Sequence, residues 1–192
     1  SPVMVVIHYT AMADAASALE RLCDASAEVS AHYLIENTGE VVQMVQEADR
    51  AWHAGAGEWG GLADINSRSI GIELDNRGTH PFAAAQMDAL EELLRGIMAR
   101  WPVPPEGVIG HSDMAPGRKT DPGPRFDWAR LERQGLAAPA RRFEAGDAGA
   151  FIRAAQAAGY TAPCDFDTLL HTTRLRRAPW RTGSLCAADF TL

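Results

Sequence analysis

The order of apolar and polar residues alternates between strand and helix patterns over residues 1–138. β-branched residues dominate the run VMVVIHY, which predicts a central strand. The turn-forming sequence Asn37-Thr38-Gly39 predicts a hairpin between the runs on either side of it. Strands are predicted at residues 3–9, 31–36, 40–45, 69–75 and 107–110.

Between these strands, apolar residues recur at helical spacing. They predict a helix over residues 14–23 and a longer amphipathic helix over residues 82–101. Pro81 offers a start for the longer helix and Pro102 ends it. A short helix is expected at WARLERQG, residues 128–135. The alternation of strands and helices predicts an α/β (α+β) domain.

The tail of the chain has a different pattern. Residues 136–146 are predicted to form a linker. Helices are then expected at residues 149–159 and 166–176 and from Cys186 onward, where the third would be incomplete at Leu192. Helices of this size need to dock on a larger domain. We therefore divide the chain into a main domain, residues 1–138, and a small helical module, residues 139–192.

Composition and charge narrow the classes of protein. The chain of 192 residues is 46% hydrophobic and 22% charged, as in ordinary globular proteins. The formal net charge is −7, and residues 1–138 hold 11 Lys and Arg against 20 Asp and Glu, which argues against a nucleic-acid partner. The tail is basic, and we interpret its clustered arginines as a solvated helix face, with contact to an anionic polymer as the alternative. That cluster comprises Arg174, Arg176, Arg177 and Arg181.

Three further features concern membrane spanning, secretion and disulfide bonding. No apolar run approaches the roughly 20 residues that span a bilayer, so no transmembrane segment is expected. The first residues predict a strand instead of a signal peptide. The three cysteines, Cys23, Cys164 and Cys186, are too few for a disulfide framework and are expected to be buried free thiols.

Candidate chemistry is concentrated in VIGHSDMAPGRKTDPGPRFDW, residues 108–128. Three prolines and three glycines predict that most of this segment is an irregular, stiffened loop. The loop holds His111, Lys119 and Asp121, and His8 ends the first predicted strand. If the strands before the two histidines are neighbours, both imidazoles emerge at one sheet edge, where Asp121 can complete a three-ligand zinc site. Spacing alone leaves open that these histidines are core or surface residues.

The same segment closely resembles the matching segment of zinc-dependent N-acetylmuramoyl-L-alanine amidases. This branch shares its fold with phage T7-type lysozyme-amidases and peptidoglycan-recognition proteins. The resemblance extends, in the family's order, to IHYTA (7–11), SAHYLI (30–35), AWHAG (51–55) and INSRSIGIEL (65–74). It covers residue 3 to about 138, and it implies a central mixed β-sheet flanked by α-helices.

The resemblance also implies a role for each residue that matches a family motif. It implies that His8, His111 and Asp121 are zinc ligands. It places Glu73 at the position of the catalytic carboxylate, a general base, and Lys119 at that of a cation beside the scissile amide. The chain departs from the family at none of these five positions, and this favours an enzyme over an inactive relative.

Other polar residues carry weaker expectations. His53 and Trp52, and more weakly Asn66, are expected to contact the substrate, with packing of their loop as the alternative. His32 is expected to support the cleft instead of binding metal. His80 and His171 are expected at the surface.

Two questions stay open in the sequence. Asp113 is expected either to orient the loop or to accept a hydrogen bond from His111. The tail resembles the small peptidoglycan-binding helical modules of some of these amidases, mainly through residues 150–160. Extra affinity for the cell wall and a purely structural cap are both open for it.

The prediction is a Zn²⁺-dependent hydrolase that cleaves the amide bond between N-acetylmuramic acid and L-alanine in peptidoglycan or muropeptides. The alternatives are a non-catalytic muropeptide-binding sensor on the same fold and a zinc hydrolase of another amide. Peptidoglycan or a muropeptide is the expected partner. The compartment stays open, cytoplasmic for recycling or periplasmic and membrane-anchored for wall turnover, as does the oligomeric state.

Overall fold

A computed structural model describes all residues from Ser1 to Leu192. Its strands are β1 (Met4–Tyr9), β2 (Tyr33–Ile35), β3 (Val41–Gln43), β4 (Ser69–Leu74) and β5 (Val108–Gly110). They form one sheet in the order β3-β2-β4-β1-β5. The β2–β3 pair is antiparallel and the other pairs are parallel. The predicted α/β class and mixed sheet are therefore confirmed.

The helices are α1 (Ala15–Cys23), α2 (Ala84–Arg100), α3 (His111–Met114), α4 (Trp128–Arg133), α5 (Ala148–Ala157) and α6 (Phe166–Arg177). Apart from α3, a single turn inside the stiffened loop, each lies where a helix is predicted. None of the helices combines the length and the apolar character that a membrane crossing requires.

The helix expected from Cys186 onward is wrong. Residues Ala187–Phe190 form only a 3₁₀ turn. The chain is extended beyond it because its backbone pairs with the segment predicted as a linker. Leu192 donates to the carbonyl of Arg141 at 2.9 Å, and Phe143 donates to that of Phe190 at 2.9 Å.

Alternate residues of β1 face opposite sides of the sheet. On one side, Val5 and Ile7 join the main hydrophobic core, which also buries the apolar stripe of α2. On the other side, Met4 and Val6 pack against the loop that connects β3 to β4. His8 continues this second row, so its imidazole lies on the face opposite α2.

The tail has a hydrophobic cluster of its own, formed by residues of α5, α6 and the last turn, including Phe151 and Phe190. The division at residue 138 stays a prediction. The interpretation of the tail arginines as a solvated face is wrong for Arg174 and Arg176, which are buried. They are buried because each pairs with an acidic partner, Asp189 and Asp113 respectively.

The expectation of buried thiols is also wrong. Cys23, Cys164 and Cys186 are all exposed and unpaired. Cys23 ends α1, Cys164 precedes α6, and Cys186 precedes the 3₁₀ turn. Each cysteine lies at or next to the end of an element and outside the hydrophobic clusters, and for this reason none of them is buried.

Candidate metal centre

Parallel strand pairing brings the two histidines together. Ile7 of β1 lies opposite Gly110 of β5. The next residue of each strand therefore emerges at the same carboxyl-terminal edge, and these residues are His8 and His111. Asp121 returns to this edge because its carbonyl accepts a hydrogen bond from the backbone N–H of Ser112 at 2.9 Å.

The three side chains place one donor atom each around a common point. Nδ1 of His8 lies 3.0 Å from Nδ1 of His111, and Oδ2 of Asp121 lies 2.9 Å from the first and 3.1 Å from the second. All three residues are buried. Tetrahedral zinc, with bonds of about 2.0–2.1 Å, places neighbouring ligand atoms about 3.3 Å apart. The donor set and its spacing therefore fit a zinc ion.

The opposite ring nitrogen of His111 supports this fit. Nε2 lies 2.8 Å from the carbonyl oxygen of Ala54. Since a carbonyl only accepts, Nε2 carries the hydrogen and Nδ1 of the neutral ring presents a lone pair to the centre. That lone pair and the Asp121 carboxylate converge on the same point, which is the arrangement that a cation stabilises.

Burial and neighbouring charge shift the acidity of the site. Burial, with a smaller repulsion from His111, lowers the pKa of His8 to about 4, so its imidazole is neutral at neutral pH. Burial opposes ionisation of Asp121. The interaction with the ring nitrogens of His111 and His8 outweighs that effect and holds the pKa of this carboxyl below its usual range. The site therefore offers a neutral His8 imidazole and an Asp121 carboxylate, the forms that bind metal.

Glu73 and Lys119 line the same cavity, which has a volume of about 380 Å³. Parallel pairing of β4 with β1 places Glu73 beside His8. Its Oε2 is buried without a hydrogen-bond partner. Burial, reinforced by the negative charge of Asp121, raises the pKa of Glu73 well above its ordinary value. Lys119 is exposed at the wall of the cavity.

Of the three residues expected to contact substrate, Trp52 and His53 line the cavity and Asn66 does not. Trp52 lies at the mouth of the cavity, 56% exposed, with the Arg50 guanidinium 4.2 Å from its ring centre. His53 is half-buried, and its Nδ1 lies 3.0 Å from Nε2 of His8. Asn66 is buried outside the cavity lining, where its Oδ1 accepts from the backbone N–H of His53 and of Ala54. Their substrate roles stay predictions.

The remaining histidines lie as expected. His32 is fully buried behind the cavity, where its Nδ1 accepts the N–H of Gly71 at 2.9 Å. Its Nε2 lies 3.1 Å from the carbonyl of Asp49, so both ring nitrogens are used in support. His80 and His171 are exposed, which confirms their surface positions.

The structure decides the question about Asp113. Its Oδ2 accepts from the N–H of Gly110 at 2.8 Å and from Nη1 of Arg176 at 2.7 Å. Its Oδ1 accepts from the hydroxyl of Tyr160 at 3.3 Å. The ring nitrogens of His111 have other partners, so Asp113 orients the loop.

Sequence reasoning missed Arg118. Its Nη2 donates to the carbonyls of Ala54 at 2.6 Å and Ala56 at 2.5 Å, so it holds the AWHAG loop over His111. Burial lowers the pKa of this guanidinium. The one signal in the sequence was its position next to Lys119. No pattern in the chain indicates contacts 62 and 64 residues away.

Fold and site together define a mixed α/β protein with a His-His-Asp candidate metal centre at the carboxyl-terminal edge of its sheet. Residues 1–124 match the model of the Amidase_2 family, described as N-acetylmuramoyl-L-alanine amidase. The match covers more than half of the chain. The chain belongs to this family.

Two curated relatives illustrate the similarity. The N-acetylmuramoyl-L-alanine amidase AmiD of Escherichia coli is 43% identical over 70% of this chain and 54% of its own length. The 1,6-anhydro-N-acetylmuramyl-L-alanine amidase AmpD of Enterobacter cloacae is 47% identical over 54% of this chain and 55% of its own. The chain thus spans about half the length of the curated relatives it matches.

Solved structures extend the similarity into the tail. AmiD from E. coli, in complex with the substrate anhydro-N-acetylmuramic acid-L-Ala-D-gamma-Glu-L-Lys, aligns over 93% of this chain and 81% of its own, with a TM-score of 0.84 and 33% identity. AMPDH3 from Pseudomonas aeruginosa aligns over 99% of this chain and 89% of its own, with a TM-score of 0.90 and 28% identity. An AmpD derivative aligns over only 72% of this chain.

Proposed function

We propose that this protein hydrolyses the amide bond between N-acetylmuramic acid and L-alanine in peptidoglycan or muropeptides. We further propose that Zn²⁺ is its metal and that His8, His111 and Asp121 bind it. One observation carries the proposal: three donor atoms lie 2.9–3.1 Å from one another, in the same cavity as a carboxylate oxygen without a partner.

A bound zinc ion would polarise the amide carbonyl and lower the pKa of a bound water to about 7. Two imidazoles and one carboxylate would hold the ion and would leave one position for this water, as in other catalytic zinc sites. The burial of all three side chains keeps competing water away from the donor atoms.

Glu73 is the proposed general base. Its unpartnered Oε2 is free to accept a proton from the attacking water, and the same carboxyl can then pass that proton to the departing amine. Lys119, on the wall of the same cavity, would stabilise the negative charge that develops on the carbonyl oxygen. These two roles need no rearrangement of the sheet, since Glu73 is fixed beside His8 by strand register.

A muropeptide is the proposed substrate class. The structure of AmiD, to which this chain is similar over 93% of its length, contains such a substrate. The cavity of about 380 Å³ is large enough to hold part of a sugar–peptide ligand, and Trp52 at its mouth offers an exposed aromatic face. His53 and Asn66 would contribute to substrate binding by holding the AWHAG loop in its shape.

The test combines metal analysis with product analysis. Purified protein is expected to contain zinc and to release free stem peptide from an anhydro-muropeptide, with loss of activity in a chelator and recovery on addition of zinc. Asp121→Ala and Glu73→Ala are each expected to abolish release, and only Asp121→Ala should also lose zinc. His171→Ala, an exposed position on α6, is the control.

The outcomes separate the alternatives. Full release of stem peptide by either site variant would contradict the residue roles. Tight muropeptide binding without any release by the native chain would replace the enzyme with a sensor. Chelator-sensitive hydrolysis of a different amide, with muropeptides left intact, would identify another substrate.

A further inference from the structure

The imidazole of His53 lines the cavity beside the candidate metal centre and lies against Nε2 of His8, the ring nitrogen that faces away from that centre. Nδ1 of His53 is 3.0 Å from Nε2 of His8, and Nε2 of His53 is 3.3 Å from Oγ of Ser69. Oγ of Ser69 is in turn 2.6 Å from the carbonyl oxygen of Ile65. The four groups form a continuous chain of hydrogen bonds that ends on the backbone.

The direction of each bond in this chain follows from the carbonyl. The 2.6 Å contact with Ile65 needs a hydrogen atom, and only the hydroxyl of Ser69 can supply it. The hydroxyl oxygen then accepts from His53, so Nε2 of His53 is its protonated nitrogen. A neutral imidazole with hydrogen on Nε2 has a lone pair on Nδ1. Nε2 of His8 must therefore donate to it, and Nδ1 of His8 is left with a lone pair.

We propose that Ser69 and His53 are positioning residues, which hold His8 in the tautomer whose Nδ1 can bind a metal ion. The inference rests on the proposed function in one respect, that His8 is a metal ligand. It assigns His53 a task different from substrate contact, because both ring nitrogens of His53 are engaged inside the protein.

The arrangement has a physical purpose. The Asp121 carboxylate lies 2.9 Å from Nδ1 of His8 and, without a metal, attracts a hydrogen to that nitrogen. A hydrogen on Nδ1 would leave lone pairs on both Nε2 of His8 and Nδ1 of His53, which face each other at 3.0 Å. This repulsion opposes the wrong tautomer. For His111, a backbone carbonyl fixes the tautomer directly, because Nε2 donates to it.

Two neighbours keep the His53 ring in place. A methyl group added at Gly71 of β4 would overlap the imidazole, so the absence of a side chain there makes room for it. The side-chain oxygen of Asn66 accepts the backbone N–H of His53 at 3.0 Å and fixes the chain on the other side. The ring forms no ion pair, so no carboxylate competes for its hydrogen.

The first experiment reads the tautomer directly. Two-bond ¹H–¹⁵N spectra of the metal-free protein at neutral pH are expected to show His53 protonated at Nε2, with its signals assigned by their loss in His53→Phe. Ser69→Ala is expected to make the Nδ1-protonated form of His53 appear. Native protein with His53 protonated at Nδ1 would overturn the proposal.

The second experiment measures zinc affinity by competition with a chelating dye. His53→Phe and Ser69→Ala are expected to weaken zinc binding about 10-fold to 100-fold, as observed for partners of metal-bound histidines. His53→Gln, whose amide oxygen can accept from His8, should recover part of the loss. His80→Phe, at an exposed position, is the matched control.

The outcomes distinguish this proposal from the proposed function. Native affinity in His53→Phe would overturn the positioning role, whatever the enzyme hydrolyses. A native chain without zinc affinity would contradict the metal site, while the spectra of the metal-free protein would still test the tautomer of His53. Circular dichroism of each variant separates a lost hydrogen bond from a lost fold.

Discussion

Two buried polar clusters flank the short helix α3, and they are built on opposite principles. The sheet-edge cluster consists of His8, His53, Glu73, His111 and Asp121. The module bridge consists of Asp113, Tyr160 and Arg176. His111 begins α3 and belongs to the first cluster, whereas Asp113, two residues later, belongs to the second.

In the module bridge, opposite charges are paired. Arg176 donates to Asp113 at 2.7 Å and its guanidinium lies 3.8 Å from the ring centre of Trp128. In the sheet-edge cluster, burial raises the pKa of Glu73 and lowers that of His53, and neither side chain forms an ion pair. The first arrangement joins two parts of the chain. The second contains a carboxyl and an imidazole whose charged forms burial disfavours.

Glu73→Gln should produce the largest effect and should move the activity and stability of the protein in opposite directions. Loss of a general base is expected to reduce stem-peptide release about 10²-fold to 10⁴-fold. The metal-free variant should nevertheless be more stable, because the raised pKa of Glu73 means that ionising it opposes folding.

The gain in stability of Glu73→Gln should depend on pH, because it arises from the raised pKa of the native carboxyl. Below the ordinary value of 4.5 the carboxyl is neutral in both folded and unfolded chains, so the gain should vanish. As the pH rises above 4.5, only the unfolded chain ionises freely, and the gain should grow until the pH passes the raised folded pKa. Urea unfolding across this range measures it, with exposed Glu40→Gln as control. A destabilised variant at neutral pH would contradict this view of the cluster.

Arg176→Met should lower the stability of the fold, in contrast to the stabilisation expected for Glu73→Gln. Removing the guanidinium leaves the buried carboxylate of Asp113 uncompensated, which typically lowers the free energy of unfolding by about 3–5 kcal/mol. Chemical denaturation measures the change. Arg50→Met, which breaks the exposed pair with Asp64, is the control and should cost less than about 1 kcal/mol. Equal effects of the two variants would contradict the difference in burial.

Asp189→Asn should give the smallest effect, because the amide oxygen of asparagine can still accept a hydrogen bond from Arg174. Hydrogen bonds, first from Arg174, hold the pKa of Asp189 below its ordinary value of 3.8. A depressed folded pKa adds stability that is present above 3.8 and is lost as the pH falls through the lower folded value. The variant should therefore have a lower free energy of unfolding at neutral pH. That free energy should also fall less steeply than in the native chain as the pH is lowered. If the free energy of unfolding falls as steeply in acid as it does in the native chain, groups other than Asp189 cause the acid sensitivity.

The sheet-edge cluster was largely predictable from sequence, and the module bridge was not. Strand runs and the family motifs indicated where His8, Glu73 and His111 lie, because register in a parallel sheet follows from the apolar pattern. Arg176 and Asp113 are 63 residues apart, and neither position carries a periodic signal. Arginine is usually exposed, so its burial depends on a partner that only the fold reveals.

The contact between His53 and His8 shows the same limit within a recognised motif. The AWHAG sequence predicted a substrate contact for His53, which stays a prediction, but it did not indicate the hydrogen-bond partners of the ring. Its actual partners, His8 and Ser69, lie 45 and 16 residues away. Donor and acceptor directions became visible only once these side chains were placed side by side.

If His111 binds a metal ion as proposed, the single turn of α3, which also carries Asp113, would couple ion binding to the docking of the tail helices. Such coupling is reciprocal: the free energy by which helix docking strengthens ion binding equals the free energy by which ion binding strengthens helix docking. Amide hydrogens of α5 and α6 should therefore exchange with solvent more slowly in the metal-loaded protein, although neither helix provides a ligand.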